Sequence, residues 1–232
     1  MEVSPKDLKQ VVVFQNATDD DLKLILENSI IRSMEEGGFF FFQGDPADHL
    51  YVLTSGQAKL MQTNPNGQNV NLRTLYPWQM FGALGAVREM ANYPASAQAL
   101  EDSTALAIRS DFLHAALETR PSMAFDLMQL MTSYIQEMQN RYRELATERV
   151  EQRVASTLLR LAAQTGTKVG KETIIELAFS RQDMAEMTGT TLYTVSRLLS
   201  EWERRGIIAT GRERVSILKP HELVRIADNL EK

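Results

Sequence analysis

The segment that most constrains the fold is TTLYTVSRLLSEWERRG, residues 190–206. Its apolar residues recur at helical spacing, and they are Val195, Leu198, Leu199 and Trp202. Spacings of three and four residues place these side chains on one side of a helix, which has to be buried. The opposite side carries a row of hydrogen-bonding groups with two guanidiniums, made of Tyr193, Ser196, Arg197, Ser200 and Arg204.

The flanks of this segment predict how it is connected. Ser180 followed by Asp183 is the start signal of a preceding helix. Gly189 provides a tight turn, and Thr190 or Thr191 is expected to cap the next helix. After Gly206, the run IIATGRERVSIL reads as two short strands around a Gly-Arg turn. The pattern predicts a winged helix-turn-helix, whose second helix enters the DNA major groove.

The alternative interpretation of the polar row is a solvated surface, which is the default for an amphipathic helix. Two features favour DNA: the row begins at the helix N-terminus, and it contains Arg rather than Lys. Charge points the same way. Residues 1–147 carry 11 Lys and Arg against 18 Asp and Glu, and residues 148–232 carry 14 against 12, within a net charge of −5. Binding to a polyanion is therefore expected of the C-terminal part.

The N-terminal part reads as a small β-structure. From 37 to 110, short apolar runs are separated by Gly, Pro, Asn and Asp, which is typical of a sandwich or barrel. NPNGQN at 64–69 predicts a hairpin turn, because Asn and Gly accept positive φ. The acidic run at Asp19 and Asp20 predicts a short helix over 19–27.

A helical period follows the strands. Its apolar positions have spacings of 3, 4, 3, 4 and 3, and they are Met128, Met131, Ile135, Met138, Tyr142 and Leu145. This heptad seam predicts a homodimer interface along one long helix. The alternative is a helix that packs only on its own domain.

Composition excludes several classes of function. The chain has no cysteine, which excludes disulfides, thiol nucleophiles and cysteine-held iron–sulfur clusters. It has neither a signal peptide pattern nor an apolar run of about 18 residues, so we expect a cytoplasmic protein without membrane contact. No nucleophile–base pair, metal cluster or phosphate loop stands out, and an enzyme is not expected.

The chain resembles the cyclic-AMP receptor protein/fumarate-nitrate regulator (CRP/FNR) family of bacterial transcription factors over nearly its whole length. The resemblance rests on FGALGAV, SRQDMAEMTG, TVSRLLSEWERRGII and a glycine rhythm at Gly38, Gly44, Gly56, Gly67, Gly82 and Gly85. It implies an α+β fold with a β-roll effector domain (residues 1–121, cyclic-nucleotide-binding-like), a dimerisation helix (122–147) and a winged helix-turn-helix domain (148–232). It also implies a homodimer that reads palindromic promoter DNA, with RNA polymerase as a partner.

The resemblance assigns roles in DNA binding residue by residue. Arg197 matches the arginine that bonds a guanine, and Ser196 matches the serine before it in the fumarate-nitrate branch. Tyr193 stands where the family usually has a glutamate that reads cytosine. Arg181 matches an arginine used on the DNA backbone, although a solvated surface charge has the same appearance in sequence. Thr190 and Thr191 complete the predicted DNA-binding set.

The segment FGALGAVREMANYPASAQA departs from the family's cyclic-nucleotide pattern. Ala83 stands in place of the ribose-binding glutamate, and Tyr93 and Pro94 stand in place of the arginine and serine that hold the phosphate. Arg88 is a substitute cation within the segment. The resemblance implies an effector pocket formed by Gly82, Ala83, Leu84, Arg88, Tyr93, Pro94, Ala95, Met138 and Gln139. Its effector is not expected to be cyclic AMP, and its identity stays open.

Two alternatives remain open at this point. One is a haem-dependent gas or redox sensor of the same fold, with His49 or His114 as axial ligand. Both histidines also fit simple surface positions, His49 in a turn and His114 on a short helix. The other alternative is a protein-interaction module that does not bind DNA.

Overall fold

The computed structural model describes residues 3–65, 67, 69–83, 91–169, 172–176, 180–211 and 214–230. The chain divides into two compact units, Met1–Glu137 and Met138–Lys232.

The first unit contains two sheets of four antiparallel strands, accompanied by short helices. Its helices are α1 Pro5–Leu8, α2 Asp19–Glu27, α3 Ser110–Thr119 and the first part of α4 Pro121–Thr147, with a 3-10 turn at Val12–Phe14. Its strands are β1 Ser29–Met34, β2 Phe39–Phe41, β3 His49–Ser55, β4 Ala58–Thr63, β5 Asn69–Leu75, β6 Met80–Phe81, β7 Ser96–Ala99 and β8 Ser103–Arg109. The strand orders are β1-β8-β3-β6 and β2-β7-β4-β5.

The two sheets face each other and enclose a core of their own. One sheet contributes Tyr51 and Leu53 to it, and the other contributes Leu75 and Ala97. Small alanines and large aromatic rings share this core, so the sheets approach closely at some positions and are held apart at others. This is the predicted β-roll.

The sheet that contains β3 and β8 is buried on both faces. Leu50 and Ile108 point away from the roll interior and pack with Leu22, Leu113 and residues of the N-terminal segment. A strand that is covered on both faces reads as a continuous apolar run instead of an alternating one. This explains why β3 contains LYVL.

The second unit begins inside α4 and contains the helix-turn-helix. Its remaining elements are α5 Val150–Thr165, β9 Thr167–Val169, β10 Glu172–Glu176, α6 Arg181–Thr188, α7 Leu192–Arg204, β11 Ile208–Gly211, β12 Arg214–Ile217 and α8 Pro220–Ala227. The four strands form one antiparallel sheet of order β11-β12-β10-β9. Helix α5 packs against α6 and α8.

The predicted α+β fold class is confirmed, including the β-roll, the long helix and the winged helix-turn-helix. Thr18 caps α2 with a capping box to Asp21, as the acidic run predicted. The hairpin turn joins β4 to β5, with Thr63 opposite Asn69 and Gly67 at a φ of 77°. The wing strands pair from Ile208 to Gly211. Of the helices in the described ranges, none is both long and apolar enough to span a membrane.

Candidate functional site

The start of the helix-turn-helix is fixed by local hydrogen bonds. The Ser180 side chain accepts from the backbone N–H of Asp183 at 3.2 Å, and the Asp183 carboxylate accepts from the backbone N–H of Ser180 at 2.8 Å. This capping box satisfies donors that the first turn of a helix leaves without partners. It sets the direction of α6, and the adjacent Arg181 is exposed at the N-terminus.

The turn between α6 and α7 is held from a third helix. Gly189 has a φ of 62°, a left-handed conformation that glycine adopts without strain. Arg153 of α5 is only 8% exposed and donates to the carbonyl of Thr188 at 2.9 Å and to that of Gly189 at 3.4 Å. It also donates to the carbonyl of Glu148 at 2.8 Å. One buried guanidinium therefore joins the end of α4, helix α5 and the turn.

Helix α7 has the predicted buried and exposed sides. Thr191 is the N-cap and accepts from the backbone N–H of Thr194 at 3.2 Å, which decides between the two predicted capping threonines. Val195, Leu198, Leu199 and Trp202 are all buried. The Trp202 indole N–H donates to the Glu151 carboxylate of α5 at 3.3 Å. These contacts fix the rotation of α7 about its axis and so decide which side chains point outward.

The outward side of α7 begins at its first residue. Tyr193 is 77% exposed, and Arg197 is exposed with no carboxylate within salt-bridge distance among the residues the structure describes. Ser196 is half-buried, so it lies at the edge of the row rather than at its centre. Leu192 is 46% exposed beside Tyr193. Sequence reasoning missed Leu192, although its position directly after the cap was the available signal.

The wing is tied to the end of α7. The Glu203 carboxylate accepts from the Thr210 backbone N–H at 2.8 Å and from the Thr210 hydroxyl at 2.9 Å. These hydrogen bonds hold the pKa of Glu203 below its usual value. The carboxylate therefore stays ionised at neutral pH and keeps β11 against the helix.

The β-roll segment predicted to hold an effector is described at its two ends. Gly82 has a φ of 77°, and a Cβ atom there would lie 3.3 Å from Cε1 of Tyr93. Ala83, Tyr93 and Ala95 are buried, whereas Pro94 is exposed. Leu84 and Arg88 lie outside the described residues. The structure thus brings Gly82 and Tyr93 together.

Tyr93 fills the interior of the roll with an aromatic ring. Its ring stacks on Phe41 with a centroid separation of 3.7 Å, and its hydroxyl donates to the carbonyl of His49 at 2.5 Å. It also accepts from the backbone N–H of His49 at 3.2 Å. Burial raises the pKa of this phenol. Tyr93 is therefore a neutral core residue that is fully hydrogen-bonded.

Arg73 is a cation on the inner face of the roll that the sequence reasoning did not single out. It lies opposite Leu60 in the ladder between β4 and β5, and its Cζ atom stands 3.9 Å from the ring centroid of Tyr134 on α4. The Tyr134 hydroxyl reaches the Met80 carbonyl at 3.4 Å. Burial raises the pKa of Tyr134, and the charge of Arg73 opposes that shift. The sequence offered one signal for this position of Arg73. It precedes the apolar residue Leu75 by two residues, and residues two apart in a strand share a face.

The two histidines considered as haem ligands lie in different elements. His49 is the first residue of strand β3, not a turn residue as its DPADHLY context suggested, and burial lowers its pKa. His114 lies on α3 with Nε2 3.6 Å from the Glu118 carboxylate. Among the described residues, no three His, Cys, Asp or Glu side chains are grouped to hold a metal ion. Haem ligation gains no support from these positions.

The predicted dimer seam on α4 is largely uncovered in the single chain. Met128, Ile135, Met138, Tyr142 and Leu145 are between 53% and 76% exposed. Met131 is an exception, because it packs against the core beside the N-terminal helices. Met138 and Gln139, assigned also to the effector pocket, are both exposed and belong to the second unit.

Comparison with known proteins agrees with this architecture. The cyclic nucleotide-binding domain matches residues 31–120, and the Crp-like helix-turn-helix domain matches residues 152–226. A cyclic AMP receptor protein of Thermus thermophilus is 30% identical over 224 residues, covering 96% of this chain and 100% of that protein. An anaerobic regulatory protein of Bacillus subtilis is 27% identical over 206 residues, covering 88% and 87%.

The solved structure of a CRP-family transcriptional regulator, also from Thermus thermophilus, has a similar fold, with a TM-score of 0.70. The two chains are 25% identical, and the match covers 85% of this chain and 96% of that one. The fold and the site thus define a transcription regulator with a helix-turn-helix DNA-binding domain. The chain belongs to the CRP/FNR family.

Proposed function

We propose that the protein is a homodimeric transcription regulator that reads a palindromic promoter site through two copies of α7, under the control of an effector other than cyclic AMP. The observation that carries the proposal is the outward row of α7. It presents Tyr193 and Arg197 at the start of a helix whose rotation is fixed by buried contacts. An arginine fork matches the O6 and N7 acceptors of guanine.

The homodimer is supported by the exposed seam on α4. Side chains such as Ile135 and Met138 are apolar and more than half exposed, and they recur at a/d spacing. Such a stripe is stabilised by burial against a second, identical helix. Two-fold symmetry then places the recognition helices in successive major grooves, about 34 Å apart.

The exclusion of cyclic AMP is supported by the chemistry of the roll. Ala83 offers no acceptor for a ribose hydroxyl, and the buried ring of Tyr93 stands where the resemblance places the phosphate-binding arginine. A buried phosphate without a cation would cost several kcal/mol. The side chains at these two positions therefore support an effector other than cyclic AMP.

The role is regulatory and not enzymatic, with RNA polymerase as the partner at the promoter. The curated relatives described above are a receptor protein and a regulatory protein, and neither is named as an enzyme. Tyr93 and Tyr51, which occupy the interior of the roll, have pKa values raised by burial and are poor proton donors near neutral pH.

Selection of binding sequences from a random duplex pool tests the proposal. The expected motif is an inverted repeat whose half-sites are centred about one helical turn apart, with a guanine in each half-site. Retention of duplex should weaken steeply with salt, as counterion release requires. Recovery of no motif, together with no gel shift at low salt, would instead favour a protein-interaction module.

A further inference from the structure

We propose that the open edge of strand β1 binds an extended, basic segment of a protein partner, which joins the sheet as a further strand. The surface consists of β1 itself, Ser29–Met34, and of an acidic cluster beside its end. The acidic cluster is made of Glu35, Glu36, Glu101 and Asp102. This surface contains neither the DNA-reading helix nor the effector segment, so partner binding here is a property beyond the proposed function.

Strand β1 lies at the edge of its sheet, whose order is β1-β8-β3-β6. Its six residues pair with β8, from Ser29 opposite Ile108 to Met34 opposite Ser103. Among the residues that the structure describes, no backbone hydrogen bond joins β1 to a segment other than β8. Alternate residues of an antiparallel strand direct their N–H and C=O groups away from the paired neighbour. The open edge therefore offers a row of backbone donors and acceptors to an added strand.

Two isoleucines lie half-exposed at the open edge. Ile30 is 46% exposed and Ile31 is 49% exposed. Ile30 stands opposite Ala107, which is buried between the two sheets of the roll. Ile31 stands opposite Leu106, which is buried on the other face. Apolar surface on both faces of the sheet thus continues to the open edge, where the side chains of an added strand would cover it.

The acidic cluster lies where β1 ends and β8 begins. The backbone N–H of Glu36 donates to the Asp102 carboxylate at 3.1 Å. Burial, together with the charges of Asp102 and Glu36, raises the pKa of Glu101. In the described part of the chain, no Lys or Arg lies within salt-bridge distance of these carboxylates. Cations from a partner would relieve the repulsion within the cluster.

Charge distinguishes a basic partner from a second copy of the chain. In an antiparallel pair of two β1 strands, Glu27 of one copy would lie near the acidic cluster of the other. In a parallel pair, the two acidic clusters would lie side by side. Like charges that face each other across strands are destabilising, so both arrangements are disfavoured.

The position of the charges also defines the sequence of the added segment. Arg32 is the charged residue of β1 and lies near the middle of the strand, so the middle of the segment should be uncharged. The acidic cluster follows the C-terminal end of β1, so Lys or Arg residues are needed at one end of the segment only. An antiparallel pair is slightly more stable per residue than a parallel one. In that orientation the basic residues precede the strand-forming residues.

Fluorescence anisotropy with the full-length protein tests the proposal. The probe is the peptide KRKVTVTV, labelled with fluorescein at its C-terminus, in which three cations precede an alternating strand. We expect saturable binding at micromolar concentration, and the binding should weaken as salt is raised. The peptide EEEVTVTV differs only in its first three residues, and it should not bind.

Two N-methylated peptides test strand addition separately from charge. One carries the methyl groups on the valine amides of the probe, and the other carries them on the threonine amides. Only alternate amides of an added strand point toward β1. One of the two peptides should therefore bind at least about tenfold more weakly than the other, because it loses two or more backbone hydrogen bonds.

Variants of the protein locate the binding surface. Ile31→Lys places a charge at the open edge and should abolish binding. If that variant does not fold, Ile31→Thr keeps a β-branched residue and should still bind several-fold more weakly. Glu36→Gln combined with Asp102→Asn should also weaken binding several-fold. Asp20→Asn combined with Glu118→Gln is the matched control, because it removes the same charge from exposed helical positions, and it should leave binding unchanged.

Several results would overturn the proposal: no binding of the basic probe, equal binding of the acidic peptide, equal binding of the two N-methylated peptides, or full binding by Ile31→Lys. A species larger than a dimer in sedimentation velocity, lost in Ile31→Lys, would make a second copy the occupant and would overturn it as well. The measurements use neither DNA nor an effector, so they give the same result whether or not the protein reads a promoter.

Discussion

Arg197 and Arg153 have the same side chain in opposite environments. Arg197 is exposed on the outer side of α7, whereas Arg153 is 8% exposed and donates to three backbone carbonyls. The fork of a guanidinium serves both positions, since it donates in a plane in several directions. Arg197 is therefore accessible to a nucleic acid. Arg153 stabilises the turn that precedes α7 and so helps to orient Arg197.

At the residue scale, replacing Arg197 by Ala should weaken binding to the selected duplex by about 1–3 kcal/mol at fixed salt, the usual value of one good base contact. Preference at one base pair of each half-site should disappear. Fluorescence anisotropy with matched and substituted duplexes measures both effects. Arg204→Ala, at the far end of the same helix, is the control and should weaken all duplexes alike. If both variants behave alike, Arg197 contacts phosphate only.

Replacing Tyr193 should change the base preference of the protein without abolishing DNA binding. Tyr193→Glu should increase selection for a cytosine, because glutamate accepts from cytosine N4. Non-specific affinity should fall slightly, since the new charge repels phosphates. Repeating the selection from the random pool with this variant measures the change. An unaltered motif would mean that Tyr193 does not face a base.

At the element scale, the DNA-binding unit depends on how α5 holds the helix-turn-helix. Leu145 of α4 lies beside Gly189, where an added Cβ would be 2.8 Å from its Cδ2 atom. Arg153 donates to the same turn and to the carbonyl of Glu148. Movement at the junction of α4 and α5 would therefore reach the turn directly.

Arg153→Met should destabilise this unit, because a chain of similar length fills the space but leaves buried carbonyls without donors. Each group left unsatisfied costs roughly 1–3 kcal/mol. The free energy of unfolding from urea denaturation, followed by the fluorescence of the two tryptophans Trp78 and Trp202, measures the effect. Arg149→Met, at an exposed position just before α5, should change it little. Equal stability of the two variants would show that the turn does not need the hydrogen bonds from Arg153.

The seam on α4 gives a second prediction at this scale. Ile135→Asp combined with Met138→Asp should produce monomers that no longer bind the inverted repeat, because carboxylates cannot be buried against each other at a/d positions. Sedimentation velocity measures the mass. Gln136→Asp combined with Gln139→Asp adds the same charge beside the seam and should leave dimers. Dimers of the Ile135 and Met138 variant would place the interface elsewhere.

At the scale of the whole molecule, the proposed effector site and the proposed DNA-reading helix belong to different units. The first unit carries the aromatic roll interior and Arg73, and the second carries α7 and the wing. The excess negative charge lies in residues 1–147, so it is separated along the chain from the helix proposed to approach phosphates. Helix α4 contributes residues to both units, because the boundary between Glu137 and Met138 falls inside it.

Cyclic AMP should not be the effector of this protein. Calorimetry at millimolar nucleotide should give no saturable heat, because Ala83 provides no acceptor and the ring of Tyr93 occupies the place of the phosphate-binding arginine. A competitor experiment with fluorescent cyclic nucleotide serves as a second measurement. A micromolar dissociation constant would contradict this prediction and would require a cation to reach the phosphate from elsewhere in the roll.

The sequence by itself determined the elements whose causes are local. The capping box of Ser180 and Asp183, the left-handed turn at Gly189 and the buried stripe of α7 each depend on residues within one or two helical turns. The apolar stripe of α4 follows from spacing, whereas the packing of Met131 against the core does not. Such features are encoded by periodicity and capping, which act over short distances in the chain.

Tertiary structure decided the features that depend on register and on contacts between distant segments. Arg73 faces the roll interior because the β4–β5 ladder shifts register between Leu60 and Met61 and sets it opposite Leu60. Arg153 holds a turn that lies 35 residues away. Tyr93 is buried by its stack on Phe41, more than 50 positions earlier in the chain. A one-residue change of register moves every side chain of a strand to the opposite face of the sheet. The amino-acid sequence alone therefore could not determine which of these side chains are buried or which distant segments they contact.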